Sequence, residues 1–117
     1  MSRLPLAAVA ALAAFVLPGA SALAAPTLNG TVGPGFTTSL TQGGKKVKTL
    51  KAGTYTFVVS DKSSIHDFAL SGPGGTKVLT TVPFVGTKTV TVTLKKGKYQ
   101  FYCQPHHSIM FGNFTVT

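Results

Sequence analysis

Cys103, His106 and Met110 fall within eight residues of one another near the C-terminal end of the chain, in Tyr99-Gln-Phe-Tyr-Cys-Gln-Pro-His-His-Ser-Ile-Met110. This stretch holds the only cysteine and two of the three histidines. A thiolate, an imidazole and a thioether on one short loop form a soft S, N, S donor set. Such a set suits copper, whose Cu(I) and Cu(II) states are both held where two His and one Cys make a trigonal plane and a Met lies farther off on the axis. The loop supplies three of those four donors. Outside it the chain has one further histidine, His66, in Ser63-Ser-Ile-His-Asp-Phe-Ala-Leu70, and the missing imidazole must come from there.

Cys103-Gln-Pro-His106 with Met110, Gly112 and Val116 resembles the copper loop of the plastocyanin and amicyanin group of cupredoxins. Ser64-Ile-His66-Asp-Phe68 resembles the segment that carries the first histidine of that family. The resemblance extends over most of the chain after about residue 25. It implies one type 1 copper ion with His66, Cys103, His106 and Met110 as ligands. Two departures stand out. Three residues separate His106 from Met110, one more than in amicyanin-like loops and one fewer than in plastocyanin-like ones. Asp67 stands where the family usually has an Asn whose side chain ties the two ligand loops together.

Met1-Ser-Arg3, the apolar run Leu4 to Leu17, the Pro18-Gly19 break and the small residues Ala20 to Ala25 read as a secretory signal peptide. The run is shorter than the roughly 20 residues that span a bilayer. With Ala22 and Ala24 as the small pair, cleavage is expected after Ala24, leaving a domain over 25–117. The mature protein is expected to be soluble and periplasmic or extracellular. No second arginine adjoins Arg3 to suggest twin-arginine export, and no cysteine stands at the cleavage site to take a lipid. An unpaired thiol in an oxidising compartment invites oxidation unless a metal holds it.

The chain is basic, with a net charge of +9, or +8 without Arg3 and the rest of the signal segment. The ten lysines face only Asp61 and Asp67, and no glutamate occurs. Such lysines form a solvated surface, or attract an acidic protein partner or an anionic membrane surface. Export argues against nucleic acid.

From Ala25 on, the pattern is of strands and turns. Strands are expected at Thr27 to Val32, Phe36 to Leu40, Lys46 to Leu50, Thr54 to Ser60, around His66 to Leu70, Thr76 to Val82, Thr87 to Leu94, Tyr99 to Cys103 and Met110 to Thr117. Alternation points Tyr55, Phe57 and Val59 inward, and likewise Val90, Val92 and Leu94, with the intervening threonines outward. His66, Phe68 and Leu70 share one face, with Ile65, Asp67 and Ala69 on the other. Tyr99, Phe101 and Cys103 face the core, which brings the sulfur to the top of it, with Tyr102 outward. The fold class is all-β, a two-sheet Greek-key sandwich of about eight strands. Asn29 and Asn113 match the Asn-x-Thr sequon by chance.

The chain offers no general base, nucleophile pair or phosphate loop, and is read as a non-enzyme. The expected function is that of a monomeric electron carrier meeting a redox protein partner, an acidic one being favoured by the lysines, at an apolar patch of Pro34, Phe36 and Ile109 around His106. Two other classes stay open: an exported copper store that does not shuttle electrons, and a structural sandwich in which Cys, His and Met are bystanders.

Overall fold

The computed structural model describes residues 24–117, so the expected signal segment lies outside the described residues except for Ala24. Among the described residues every regular element is a strand, and no helix is long and apolar enough to cross a membrane. Ten strands form two five-stranded sheets packed face to face. In chain order they are β1 (Thr27–Val32), β2 (Thr38–Gln42), β3 (Lys45–Lys46), β4 (Thr49–Leu50), β5 (Gly53–Asp61), β6 (Phe68–Gly72), β7 (Gly75–Thr80), β8 (Gly86–Leu94), β9 (Gly97–Tyr102) and β10 (Phe111–Val116). The sheet orders are β3-β2-β1-β5-β8 and β4-β10-β9-β6-β7. β1 runs parallel to β5 and β4 parallel to β10; the other pairs are antiparallel.

The sandwich has two distinct ends. At the upper one β5 and β9 finish and β6 and β10 begin, so the loops after Asp61 and after Tyr102 lie together. At the lower one β8 turns into β9, and β5 starts.

Period-two burial builds the core as expected. Tyr55, Phe57 and Val59 on β5 lie beside Val92 and Leu94 on β8 and share the core with Tyr99 and Phe101 on β9 of the other sheet, while Thr87, Thr89, Thr91 and Thr93 stay wet. Two expectations are corrected. Lys46 to Leu50 is a crossover between sheets, because Val47 turns into the core at 5% exposure and its amide bonds to the Leu40 carbonyl. β3 therefore pairs with β2 in one sheet and β4 with β10 in the other, which raises the strand count to ten. Asp67 and Ala69 are buried at 1% and 0%. His66 precedes β6, the register shifts at Phe68/Ala69, and Ala69 lies between Tyr102 and Val78, so the simple alternation fails there.

The floor beneath the upper loops is aromatic. Phe68 and Phe101 stack in parallel with centroids 5.8 Å apart. Phe101 lies flat over Gly112, its register partner on β10, where an added Cβ would fall 2.2 Å from the ring. Gly112→Ala must therefore push Phe101 out of its stack. We expect it to lower stability by about 1–3 kcal/mol, read as a shift in the urea midpoint with an unchanged m-value.

Candidate metal centre

Each donor is carried by a segment with its own reason for its shape. His66 lies between β5 and β6 in a turn tied by Ser63 N donating to Asp61 Oδ1 at 3.2 Å and Ile65 N to Ser63 Oγ at 3.3 Å. The turn is held to the first sheet by Lys62 N donating to the Val32 carbonyl at 2.9 Å. Cys103 follows β9 directly. Its amide donates to the Met110 carbonyl at 3.0 Å, closing the loop, and the Met110 amide donates back to the His106 carbonyl at 2.9 Å. Pro105, with its fixed φ, starts the turn that brings His106 over the sulfur.

Three donor atoms converge. His66 Nδ1 and His106 Nδ1 are 3.1 Å apart, and Cys103 Sγ lies 3.7 Å from the first and 3.5 Å from the second. The point equidistant from all three is about 2.0 Å from each, close to the bonds of about 2.0–2.3 Å that imidazole and thiolate make to zinc, copper's neighbour. Converging lone pairs repel one another unless a proton or a cation lies between them. His66 and Cys103 are fully buried, and His66 Nε2 has no partner. Burial pushes the Cys103 thiol above its ordinary range, a cost that a bound cation offsets. The donor set, its spacing and its isolation from water all fit a copper ion. Met110 is buried at 1% at the base of the loop, within the core.

Asp67 makes the tie between loops that the usual Asn would make. Its Oδ1 accepts from the Gln104 amide at 2.7 Å, joining the His66 segment to the Cys103 loop. Burial raises its carboxyl above the usual range, and that amide offsets part of the shift. Phe36 was legible only as an apolar residue near the site. Its ring meets His66 and His106 edge to face, with centroids 5.2 and 5.0 Å away. No pattern in the sequence links the Gly33–Thr37 turn to those imidazoles. The contact depends on the bare Gly33, where a Cβ would come within 3.2 Å of the His66 ring.

His107 turns away from the three donors, as expected. It stacks on Tyr102 with centroids 4.2 Å apart and donates from Nε2 to Gln100 Oε1, whose amide in turn donates to Asn113 Oδ1 at 3.2 Å. Tyr102 does face away from the core, but His107 covers it to 8% exposure.

A His-Cys-His triangle with two corners buried and one half-exposed, at one end of a two-sheet sandwich, defines the blue copper class of proteins. The sequence model for copper-binding proteins of the plastocyanin/azurin family matches residues 58–117, just over half of the chain and the part that holds all three donors. The chain belongs to that family, and its cofactor is copper, one type 1 ion. Among solved structures it is similar to rusticyanin. A reduced form is 26% identical over 78% of each chain, with a TM-score of 0.50. A methionine-to-leucine variant is 25% identical, covering 78% of this chain and 76% of that one, with a TM-score of 0.53. A comparison with curated proteins by sequence found no match.

Proposed function

We propose that this protein is an exported, soluble electron carrier in which His66, Cys103, His106 and Met110 would hold copper. The observation that carries the reading is the Nδ1, Sγ, Nδ1 triangle with a buried His66 on one side and a half-exposed His106 on the other. Bound copper supplies a one-electron Cu(II)/Cu(I) couple. The protein's part is to keep one arrangement for both states. His66 is fixed by its turn, Cys103 by the end of β9, and the Cys103–Met110 closure and the Asp67 bond lock the two segments together. Phe36 covers the imidazoles and keeps water from the metal position. The half-exposed edge of His106 is the route for the electron, and exposed Phe36 and Ile109 give the redox partner an apolar surface to meet.

Adding Cu(II) should produce the intense visible band of copper–thiolate charge transfer, and rapid oxidation and reduction should follow with a small redox protein. A colourless protein would point to a structural sandwich. A coloured protein that exchanges its metal readily but cycles slowly would point to a store.

Met110→Leu tests the part the thioether would play. Leu conserves volume, so the core should lose less than about 1.5 kcal/mol. Copper should be retained and the reduction potential should rise, because the axial thioether tunes the couple more than it holds the ion. Failure to bind Cu(II) would give Met110 a larger part than this.

A further inference from the structure

The ten lysines are unevenly placed. Lys48 and Lys51 flank β4, and Lys95, Lys96 and Lys98 occupy the β8–β9 turn, all at the lower end. Lys77 reaches toward that end from β7, where it shares a cleft of about 210 Å³ with Lys95. Only Lys62 and Lys88 stand near the upper end, by the metal centre. Lys45 and Lys46 pair with Gln42 and Thr41, at the end of β2 away from the metal centre. All ten lysines are exposed, and no side-chain carboxylate faces the lower six, since Asp61 and Asp67 are both buried at the upper end.

We propose that the lower end is a docking surface for an anionic phospholipid bilayer, with a headgroup phosphate entering the cleft between Lys77 and Lys95. The cleft is rimmed by the Pro73-Gly74-Gly75 turn and floored by Leu70, Val92 and Tyr99.

Two observations favour a bilayer over an acidic protein. The core of a protein interface is apolar, yet of the exposed large apolar side chains only Val78, beside Lys77 on β7, adjoins this surface, while Phe36, Ile65, Val85, Ile109 and Phe111 belong to the upper end. A headgroup layer asks only for positive charge spread over a broad face, each lysine there being worth about fivefold in partition. The chain also enters the domain at this end, where the Pro26 carbonyl accepts from Thr56 N at 2.9 Å. In the uncleaved chain the apolar run Leu4 to Leu17 precedes that point, so the lower end is the one that follows it. Docked this way, the metal centre faces away from the bilayer. The inference rests on charge placement and holds whether or not the copper carries electrons.

The test is co-sedimentation of the protein, with the N-terminus it carries after expression and export, on vesicles of phosphatidylglycerol and phosphatidylcholine. Pure phosphatidylcholine vesicles report what any apolar N-terminal segment contributes alone. Binding to the anionic vesicles should be stronger and should weaken as salt rises. Lys77→Gln with Lys95→Gln should weaken it about 25-fold. Lys62→Gln with Lys88→Gln, the same charge change at the other end, should weaken it by far less. Equal losses from the two pairs would mean that only net charge matters and would overturn the proposal. So would no preference for anionic vesicles at low salt, binding of inorganic phosphate or of a polyglutamate chain without vesicle binding, or equal binding to both vesicle types.

Discussion

Cys103→Ser should leave a folded protein that no longer turns intensely coloured with Cu(II). The hydroxyl takes the place of a fully buried sulfur at the third corner of the triangle, so the variant keeps a nitrogen pair but loses the donor whose charge transfer gives the colour. The stability cost should be about 1–3 kcal/mol for burying a hydroxyl in place of a thiol. Far-ultraviolet circular dichroism should remain that of a β-sandwich while the visible band vanishes. Persistent intense colour in this variant would refute Cys103 as the source of the band.

His106 and His107 adjoin each other, and their variants should behave in opposite ways. His106→Ala removes the half-exposed corner of the triangle. Its visible band should collapse, and added imidazole should partly restore it by entering from solvent. His66→Ala opens a corner that is fully buried, so imidazole should restore it less. His107→Ala should stay coloured, with the Tyr102 ring uncovered and about 0.5–1.5 kcal/mol of stacking lost. If His107→Ala were the colourless one, the ligand would move by one residue, and only two would separate it from Met110.

The residues that do the chemistry were legible because their types are scarce. With one cysteine and three histidines, any copper-like reading had to use Cys103, one of two loop histidines and His66, and the structure brings His66, Cys103 and His106 together. The long strands β5 and β8 were equally legible, because each has one wet face and one dry face. Burial on both sides erased that signal around Asp67 and Ala69. The division of Lys46 to Leu50 between sheets was hidden because β3 and β4 are each two residues long, too short for a period of two to show. The contact of Phe36 with both imidazoles and the gathering of lysines at one end are products of topology, which local pattern does not encode.

The bond from the Cys103 amide to the Met110 carbonyl makes the loop a self-contained insert. Just below it, Tyr102 pairs with Phe111 in the β9–β10 ladder, so the sheet is complete before the loop begins. The six residues Gln104 to Ile109 can then be lengthened, shortened or exchanged for another protein's without unzipping a strand. Such an exchange would re-aim His106 while leaving the Cys103 and Met110 backbones in place. The three-residue spacing between His106 and Met110 is thus an adjustable setting of this scaffold, and grafting loops of other lengths is a direct way to retune the centre without redesigning the fold.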